Sequence, residues 1–540
     1  MKKLLSIILA VCLLAVTSLP CAAAEFSDVP GDSWARDVIY RAGELGLMEG
    51  RGGNEFGYGE PVKRCEFVTL LCRMFDWELI SPGEPSFSDV PESRWYYSAV
   101  ETALHNGAFE KESAFRPEEN ITRAEMAVMF INALGYAPLA EKAEALELRP
   151  FTDVSENRGA IAVASDIGMI NGVGGARFDP EGSALREHLA AMMVRVYDRL
   201  SGETQWLHGF YAFFSWPQHE LAADMDAVSA GWSSLELSDG EAVLNTSGSW
   251  RIPESYESLT DYLETVDTPL NLSVYMDNSA GEAGKILTDA ALRSQAAAAV
   301  LAELEREYPA IGKNPYAGVT IDFEGLTGAA QREGLTAFLT ELRAGLGEKS
   351  LYVAVQPVTQ GEYYDGFDYR AIGGLADRVI LMAHDYNAVS LGGFEGSEYY
   401  KTTALTPLAA VYHSLRAITD PETGVEDTGK LALAISFSSL AWEINDGLLV
   451  SGAPMRPGTD TIARRLAQPD TVRGWSDTYK NPYAKYTTED GRAYFLWYED
   501  ARSVSEKLRL ARLFGIEGVS LWRMGTIPNE TAYEVWSAVK

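Results

Sequence analysis

Two hydrophobic rhythms divide this chain. Up to about residue 200, apolar residues recur at helical spacing: in the stretch that opens at Arg123, Met126, Met129, Phe130 and Leu134 fall 3, 1 and 4 residues apart, one face of a helix. From about residue 205, short apolar runs of strand character alternate with helix-like stretches. The predicted strands are Gly209–Phe214, Ala227–Trp232, Leu270–Met276, Gly318–Phe323, Leu351–Gln356, Arg378–His384, Leu431–Phe437 and Gly518–Trp522. Between the fourth and fifth, Leu335, Phe338, Leu339, Leu342 and Leu346 mark one face of a helix. Eight strand–helix units predict an α/β fold, a (β/α)8 barrel with insertions, preceded by a mainly α-helical region. The rival is an open doubly wound sheet, weakened because no Gly-x-Gly-x-x-Gly follows an early strand.

The helical region repeats. Phe26-Ser27-Asp28-Val29 recurs as Phe87-Ser88-Asp89-Val90 and Phe151-Thr152-Asp153-Val154. The first two openings are followed by Trp34 and Trp95, and a glycine turn comes at Gly46, Gly107 and Gly168. Each unit closes with a helix beginning near an arginine: Arg64-Cys65-Glu66, Arg123-Ala124-Glu125 and Arg186-Glu187-His188. One such hairpin cannot bury its apolar face alone, whereas three can share a core. The pattern resembles the S-layer homology (SLH) module, most specifically at Ile121-Thr122-Arg123-Ala124-Glu125. The resemblance implies a pseudo-threefold helical domain over about residues 25–200 that binds anionic secondary cell-wall polysaccharide. It makes Arg123, Arg64, Trp95 and Trp34 candidate wall-polymer contacts, with the second copy the best candidate for binding. An arginine fork suits a carboxylate, but these arginines can equally cap or pair on their own helices. The third copy lacks the tryptophan, carries His188 for the signature glutamate, and is expected to be mainly structural.

Charge and termini narrow the function. With 45 basic against 77 acidic residues, the net charge of −32 excludes an electrostatic nucleic-acid binder and offers no attraction to anionic membranes. Lys2-Lys3, the apolar run Leu4–Val16 and Ala22-Ala23-Ala24 read as an export signal cleaved after Ala24. Pro20 before Cys21 fits a lipoprotein site poorly. No later run is long enough to span a membrane. Cys65 and Cys72 are seven apart on one predicted helix, roughly 10 Å along its axis, too far for a disulfide. The six histidines form no HExxH or similar cluster, so no metal is expected, and no cofactor is implied.

The chemistry gathers at predicted strand ends, where a barrel keeps its active site. In Gly318-Val319-Thr320-Ile321-Asp322-Phe323-Glu324-Gly325, Asp322 and Glu324 point one way and Ile321 and Phe323 the other. Two carboxylates aimed at one spot from a buried strand are costly unless used. Gln356, the run Met382-Ala383-His384-Asp385-Tyr386 and Trp522 end other strands. Acids with amide and aromatic groups suit glycoside hydrolysis. Here the region 206–540 resembles glycoside hydrolase family 18, the chitinase and bacterial N-acetylglucosaminidase family, whose strand-4 motif Asp-Gly-x-Asp-x-Asp-x-Glu falls on Ala317–Glu324. The family's Met-x-Tyr-Asp falls on Met382–Asp385, and its strand-8 tryptophan on Trp522.

The resemblance implies that Glu324 is general acid then base, and that Asp322 stabilises the substrate's own 2-acetamido nucleophile. Asp385 joins them as a third catalytic candidate. Mutual repulsion of the carboxylates is expected to leave Glu324 protonated above an ionised Asp322. Two departures stand out. Ala317 and Thr320 replace motif aspartates, with Thr320 still able to donate toward Asp322. His384 replaces the tyrosine that contacts the acetamido oxygen, a role open to His384 or to Tyr386. Further substrate-binding candidates are Gln356, Trp522, Tyr211 and Tyr275, with Trp216, Asp277 and Trp442 weaker. Glu236 and Glu499 read as surface or loop acids.

The organisation expected is a signal peptide (1–24), SLH repeats at 25–82, 86–142 and 150–202, and a barrel at 206–540. The expected function is a wall-anchored glycosidase that cleaves β-1,4 bonds at N-acetylglucosamine in peptidoglycan or a chitin-like glycan. The alternative is a catalytically weak barrel acting as a surface lectin.

Overall fold

The computed structural model describes residues 26–248, 251–357, 364–387, 390–530 and 533–540. The predicted export signal and Cys21 lie outside them. The chain divides into two compact units, Met1–Asp198 and Arg199–Lys540.

Three helix pairs build the first unit: Arg36–Glu44 with Arg64–Met74, Tyr97–His105 with Arg123–Ala133, and Arg158–Asp166 with Arg186–Leu200. The repeated aspartate explains the repeated opening. Asp28 accepts from the backbone N–H groups of Phe56, Gly57 and Tyr58 at 2.7, 2.6 and 2.9 Å. Asp89 does the same for Phe115 and Arg116, and Asp153 for Phe178 and Asp179. Each carboxylate thus fixes the loop that leads into its closing helix. Thr122 and Glu125 then form a reciprocal capping box at the start of the second closing helix.

The signature arginines join the repeats in a ring. Arg64 Nε donates to the Phe115 carbonyl at 2.9 Å, Arg123 Nε to that of Phe178 at 2.9 Å, and Arg186 Nε to that of Phe56 at 2.8 Å. Each guanidinium also lies over the ring of the same phenylalanine. Arg64 pairs with Glu125, and Arg186 lies 3.8 Å from Glu66. His188 stands where a third glutamate would be, and among the described residues Arg123 forms no ion pair. The third copy departs at its opening helix. The helices at Arg36 and Tyr97 each start two residues after the tryptophan, and the matching position before Arg158 is Glu156. The first turn of this helix carries Gly159, where a Cβ would lie 1.9 Å from the Ala140 carbonyl oxygen. The helix Ala137–Ala145, which the apolar pattern did not reveal, packs against this point, with Arg158 bonded to Glu144. Cys65 and Cys72 are free and buried, and burial pushes both thiols up to about 11.

In the second unit eight parallel strands close into a barrel: β1 (Trp206–Tyr211), β2 (Ala227–Ser238), β3 (Leu270–Asp277), β4 (Gly318–Glu324), β5 (Ser350–Val355), β6 (Arg378–Leu381), β7 (Leu431–Ser436) and β8 (Gly518–Trp522). Each pairs with its sequence neighbour, and β1 pairs with both β2 and β8. The predicted β1 is displaced by three residues: Trp206, His208 and Phe210 supply its inward face, while Phe213 and Phe214 emerge into an exposed loop. Outward-facing Phe323 packs on Phe338 of the helix Gly328–Leu346, with ring centroids 5.2 Å apart. All five predicted stripe residues of that helix are buried.

Between β7 and β8 the chain adds a five-stranded antiparallel sheet, which the sequence pattern did not separate from the barrel. Trp442, a cleft candidate, is wholly buried in its core and donates through Nε1 to Thr403. Glu499 corrects a sequence expectation. It is no surface acid but is buried beneath this sheet, accepting from Lys507 Nζ at 2.7 Å, Asn481 at 2.7 Å and Ser503 at 2.6 Å. Its local sequence is polar, and only the fold brings these donors together. Glu236 lies half-buried on β2, accepting from Asn245.

Candidate active site

Strand β4 carries the acids into the C-terminal mouth of the barrel. Its inward side presents Thr320, Asp322 and Glu324 in rising order, registered beside Ser273, Tyr275 and Asp277 of β3. Below them a buried polar chain crosses the barrel floor: Ser520 Oγ to His208 Nδ1 at 2.8 Å, His208 Nε2 to Ser229 Oγ at 2.7 Å, and Ser229 Oγ to Thr320 Oγ1 at 2.6 Å. Burial depresses His208 to about 3, so it is neutral at ordinary pH. Thr320 is therefore committed to Ser229, not to Asp322 as expected. One oxygen of Asp322 is buried without a hydrogen-bond partner among the described residues.

That isolation governs the protons. Burial, with the nearby Glu324 second, pushes Asp322 up to about 8. Glu324 is also raised by burial, offset by His384 and reinforced by Asp277. Burial thus raises both carboxyls in the unliganded site, and Asp322, 3% exposed, lies deeper than Glu324, which reaches the mouth. Tyr275 faces the same acids, and burial followed by Glu324, Asp277 and Asp322 raises its phenol.

The β6 end adds a second constellation. Asp385 takes up φ +57°, a left-handed conformation that aspartate tolerates better than most residues. Its Oδ2 lies 3.1 Å from His384 Nδ1 and accepts from Ser436 at 2.9 Å and Ser438 at 3.2 Å. Burial opposes ionisation of Asp385, but these bonds hold it below the ordinary carboxylate range. Tyr386 does not join this group. Its hydroxyl is 2.7 Å from Ser414 Oγ, on the helix Leu408–Ile418, so it is no alternative to His384. Gln356 acts on the backbone of the site. Its Oε1 accepts from Gly325 N–H at 2.5 Å, holding the turn where Gly325 has φ +75° and lies close to Asn278.

Aromatic candidates divide by exposure. Trp522 is 37% exposed and meets Phe210 edge-on. Tyr211 is buried edge-on against Trp232, a packing role. Trp216 stacks on His219 and remains partly exposed, while Phe214, which the strand pattern assigned to β1, is 77% exposed in the same loop. Ser436 and Ser438 escaped the sequence reading, although polar residues at the end of an apolar strand were the available signal. In the first unit Trp34 is exposed and stacks on His188, and Trp95 is exposed beside Tyr96. Arg64 and Arg123 are drawn into the inter-repeat ring, where carbonyls of another repeat take up much of their bonding capacity.

A mouth lined by two buried carboxyls at different depths, a histidine held by a third, and exposed aromatic faces is equipped for acid–base work on a sugar. Residues 233–526 match the family described as Glycosyl hydrolases family 18, more than half of the chain, and the chain belongs to that family. Residues 25–68 and 86–127 match the S-layer homology domain.

Among individual proteins, the chain is 26% identical over 214 residues to a cortical fragment-lytic enzyme of Bacillus subtilis, covering 38% of this chain and 46% of that one. It is 28% identical over 200 residues to the surface-layer 125 kDa protein of Lysinibacillus sphaericus, covering 35% of this chain and 16% of that one. The chain thus spans about half the length, or less, of these curated relatives. The crystal structure of the Bacillus cereus spore cortex-lytic enzyme SleL aligns with a TM-score of 0.48 at 18% identity, covering 63% of this chain and 74% of that one. No helix among the described residues is long and apolar enough to cross a membrane.

Proposed function

We propose that this chain is an exported enzyme, held on the bacterial wall by its SLH repeats, that hydrolyses β-1,4 bonds next to N-acetylglucosamine by a retaining, substrate-assisted route. The observation that carries the reading is the pairing on one strand face of a deeply buried Asp322 with a mouth-facing Glu324. Glu324 gives its proton to the leaving oxygen. The substrate's acetamido oxygen attacks the anomeric carbon and forms an oxazolinium ion. Water activated by Glu324 then opens that ring. The positive charge that develops on the acetamido nitrogen favours the ionised form of Asp322, which stabilises it.

His384 is assigned the contact with the acetamido oxygen, the role for which Tyr386 was the other candidate. Trp522 offers an aromatic face to the sugar. Peptidoglycan is the preferred polymer, because the anchor sets the barrel on the wall and the cortical fragment-lytic enzymes are relatives. In the first unit, exposed Trp34 and Trp95 are the proposed wall-polymer platforms, with Arg64 and Arg123 beside the inter-repeat joints.

The test compares wild type with Glu324→Gln on purified peptidoglycan and on N-acetylglucosamine oligomers. Reducing ends released by wild type alone support the reading. Binding of both proteins to glycan with no release by either leaves the lectin alternative and refutes hydrolysis.

A further inference from the structure

We propose that Arg523, in the turn that follows β8, anchors an anionic-glycan subsite on the rim of the barrel mouth and takes a carboxylate carried by a muramyl residue. The inference deepens the reading of a peptidoglycan-cleaving site and rests on it.

The rim is built as one piece from two loops. Beyond Trp522 the chain turns through residues 523–527, where the Thr526 N–H and Oγ1 both donate to the Arg523 carbonyl, at 3.1 and 2.8 Å. The Met524 N–H donates to the Phe210 carbonyl at 3.0 Å, which sets the turn against the end of β1. The loop after β1 holds it there. Ser215 Oγ donates to the Met524 carbonyl at 2.5 Å. Gln218 Oε1 accepts from the Gly525 and Ile527 N–H groups at 2.7 and 3.2 Å, and Nε2 donates to the Ile527 carbonyl at 2.7 Å. Gly525 has φ +84°, and a Cβ there would lie 2.6 Å from the Phe214 carbonyl oxygen. This seam sets exposed Phe214 and Trp522 and half-buried Arg523 on one rim, with the backbone fixed in advance of any ligand.

The protein gives the Arg523 side chain no partner. Its Nη1 is buried without a hydrogen bond among the described residues, and its guanidinium forms no ion pair with them. Burial pulls its pKa down, and no carboxylate offsets the effect. That is unexpected in a chain with 77 acidic against 45 basic residues, whose barrel mouth holds Asp277, Asp322, Glu324 and Asp385. Arg64 and Arg186, by contrast, each have a carbonyl and a glutamate. A partly buried guanidinium without a counter-charge costs stability, so a structural role does not account for it. Its planar fork matches a carboxylate.

The candidate polymers differ in that group. A polymer of N-acetylglucosamine alone is uncharged. Every second sugar of peptidoglycan carries a 3-O-lactyl group, which ends in a free carboxylate or in a stem peptide with carboxylates of its own. A mouth rich in acids repels such a chain, and one cation fixed on the rim offsets the repulsion where the carboxylate lies. Trp522 and Phe214 offer faces to the sugars, and Arg523 reads the charge that separates a muramyl residue from N-acetylglucosamine.

The test uses calorimetry on the full-length Glu324→Gln chain, which leaves its ligand intact. Three oligomers of equal length are compared: N-acetylglucosamine alone, alternating N-acetylglucosamine and N-acetylmuramic acid with free lactyl groups, and the same alternating oligomer bearing stem peptides. A muramyl oligomer is expected to bind more tightly than the uncharged one. Adding Arg523→Gln is expected to cut that preference about tenfold, and Arg523→Lys to keep part of it. Loss confined to the free-lactyl arm assigns the lactyl carboxylate, and loss confined to the stem-bearing arm assigns the peptide. Thermal unfolding is the control: removal of an unpaired cation leaves the melting temperature unchanged or raised, whereas a structural arginine would lower it. No preference for either muramyl oligomer, or a preference that Arg523→Gln leaves unchanged, overturns the subsite. An Arg523-dependent preference in a protein whose wild type cleaves no glycan keeps the subsite and removes the hydrolytic reading instead.

Discussion

Arg186 and Phe56 are separated by 130 positions, yet the guanidinium of the first donates to the carbonyl of the second at 2.8 Å and covers its ring. That contact closes the third repeat onto the first. Arg186 is almost wholly buried, so deleting it strands the Phe56 and Glu49 carbonyls that it satisfies. Arg186→Ala is expected to destabilise the N-terminal unit by about 2–4 kcal/mol. Arg186→Lys recovers little, because an ammonium lacks the planar fork. Thermal unfolding followed as two transitions checks this, with only the transition of the N-terminal unit moving.

Glu499 and Lys507 form a buried pair at 2.7 Å. Removing one partner leaves an uncompensated charge under the inserted sheet, so Glu499→Ala is expected to cost about 3–5 kcal/mol. Adding Lys507→Met to it should restore part of the loss. Urea unfolding of the two variants measures both effects. Equal stability of Glu499→Ala and wild type would contradict the burial.

Asp322 links stability to pH. Its folded value is about 8, and the unfolded chain titrates near the ordinary carboxylate value of ~3.9. Between these values the folded state binds the extra proton, so this group's contribution to stability falls as pH rises through that window. Asp322→Asn is uncharged throughout and should gain on wild type between about pH 4 and 8, by about 2 kcal/mol or more at the upper end. Denaturation midpoints at a series of pH values give the difference. A constant offset across the window would show that Asp322 is ionised in the folded protein.

Tyr386 gives a selective negative control. Its hydroxyl is spent on Ser414, away from the acids. Tyr386→Phe is therefore expected to leave kcat/KM within about threefold of wild type while lowering the melting temperature slightly. A loss of a hundredfold in kcat at unchanged KM would place the phenol in the reaction.

Most of the barrel was legible in the sequence for physical reasons. Strands buried on both faces read as apolar runs, and their inward polar residues interrupt those runs where chemistry gathers, as at Asp322 and Glu324. The repeats were legible because one aspartate and one arginine make the same bonds in each of the three copies. What escaped depends on partners distant in sequence. The burial that raises Asp322 and Glu324 follows from depth in the barrel, which spacing on one strand does not reveal. Thr320 was misread because its partner, Ser229, lies on another strand. Glu499 looked like a loop acid because Asn481, Ser503 and Lys507 surround it only after folding. The helix Ala137–Ala145 escaped because its packing against Gly159 is a backbone contact, invisible to a side-chain pattern.

The most direct test of the central claim is the anomeric configuration of the first product, read by proton NMR during a fresh digest of an N-acetylglucosamine oligomer. The expected result is the β-anomer appearing first and mutarotating later, with no product from Glu324→Gln. Initial release of the α-anomer, or equal release by Glu324→Gln, would contradict a retaining reaction in which Glu324 supplies the proton.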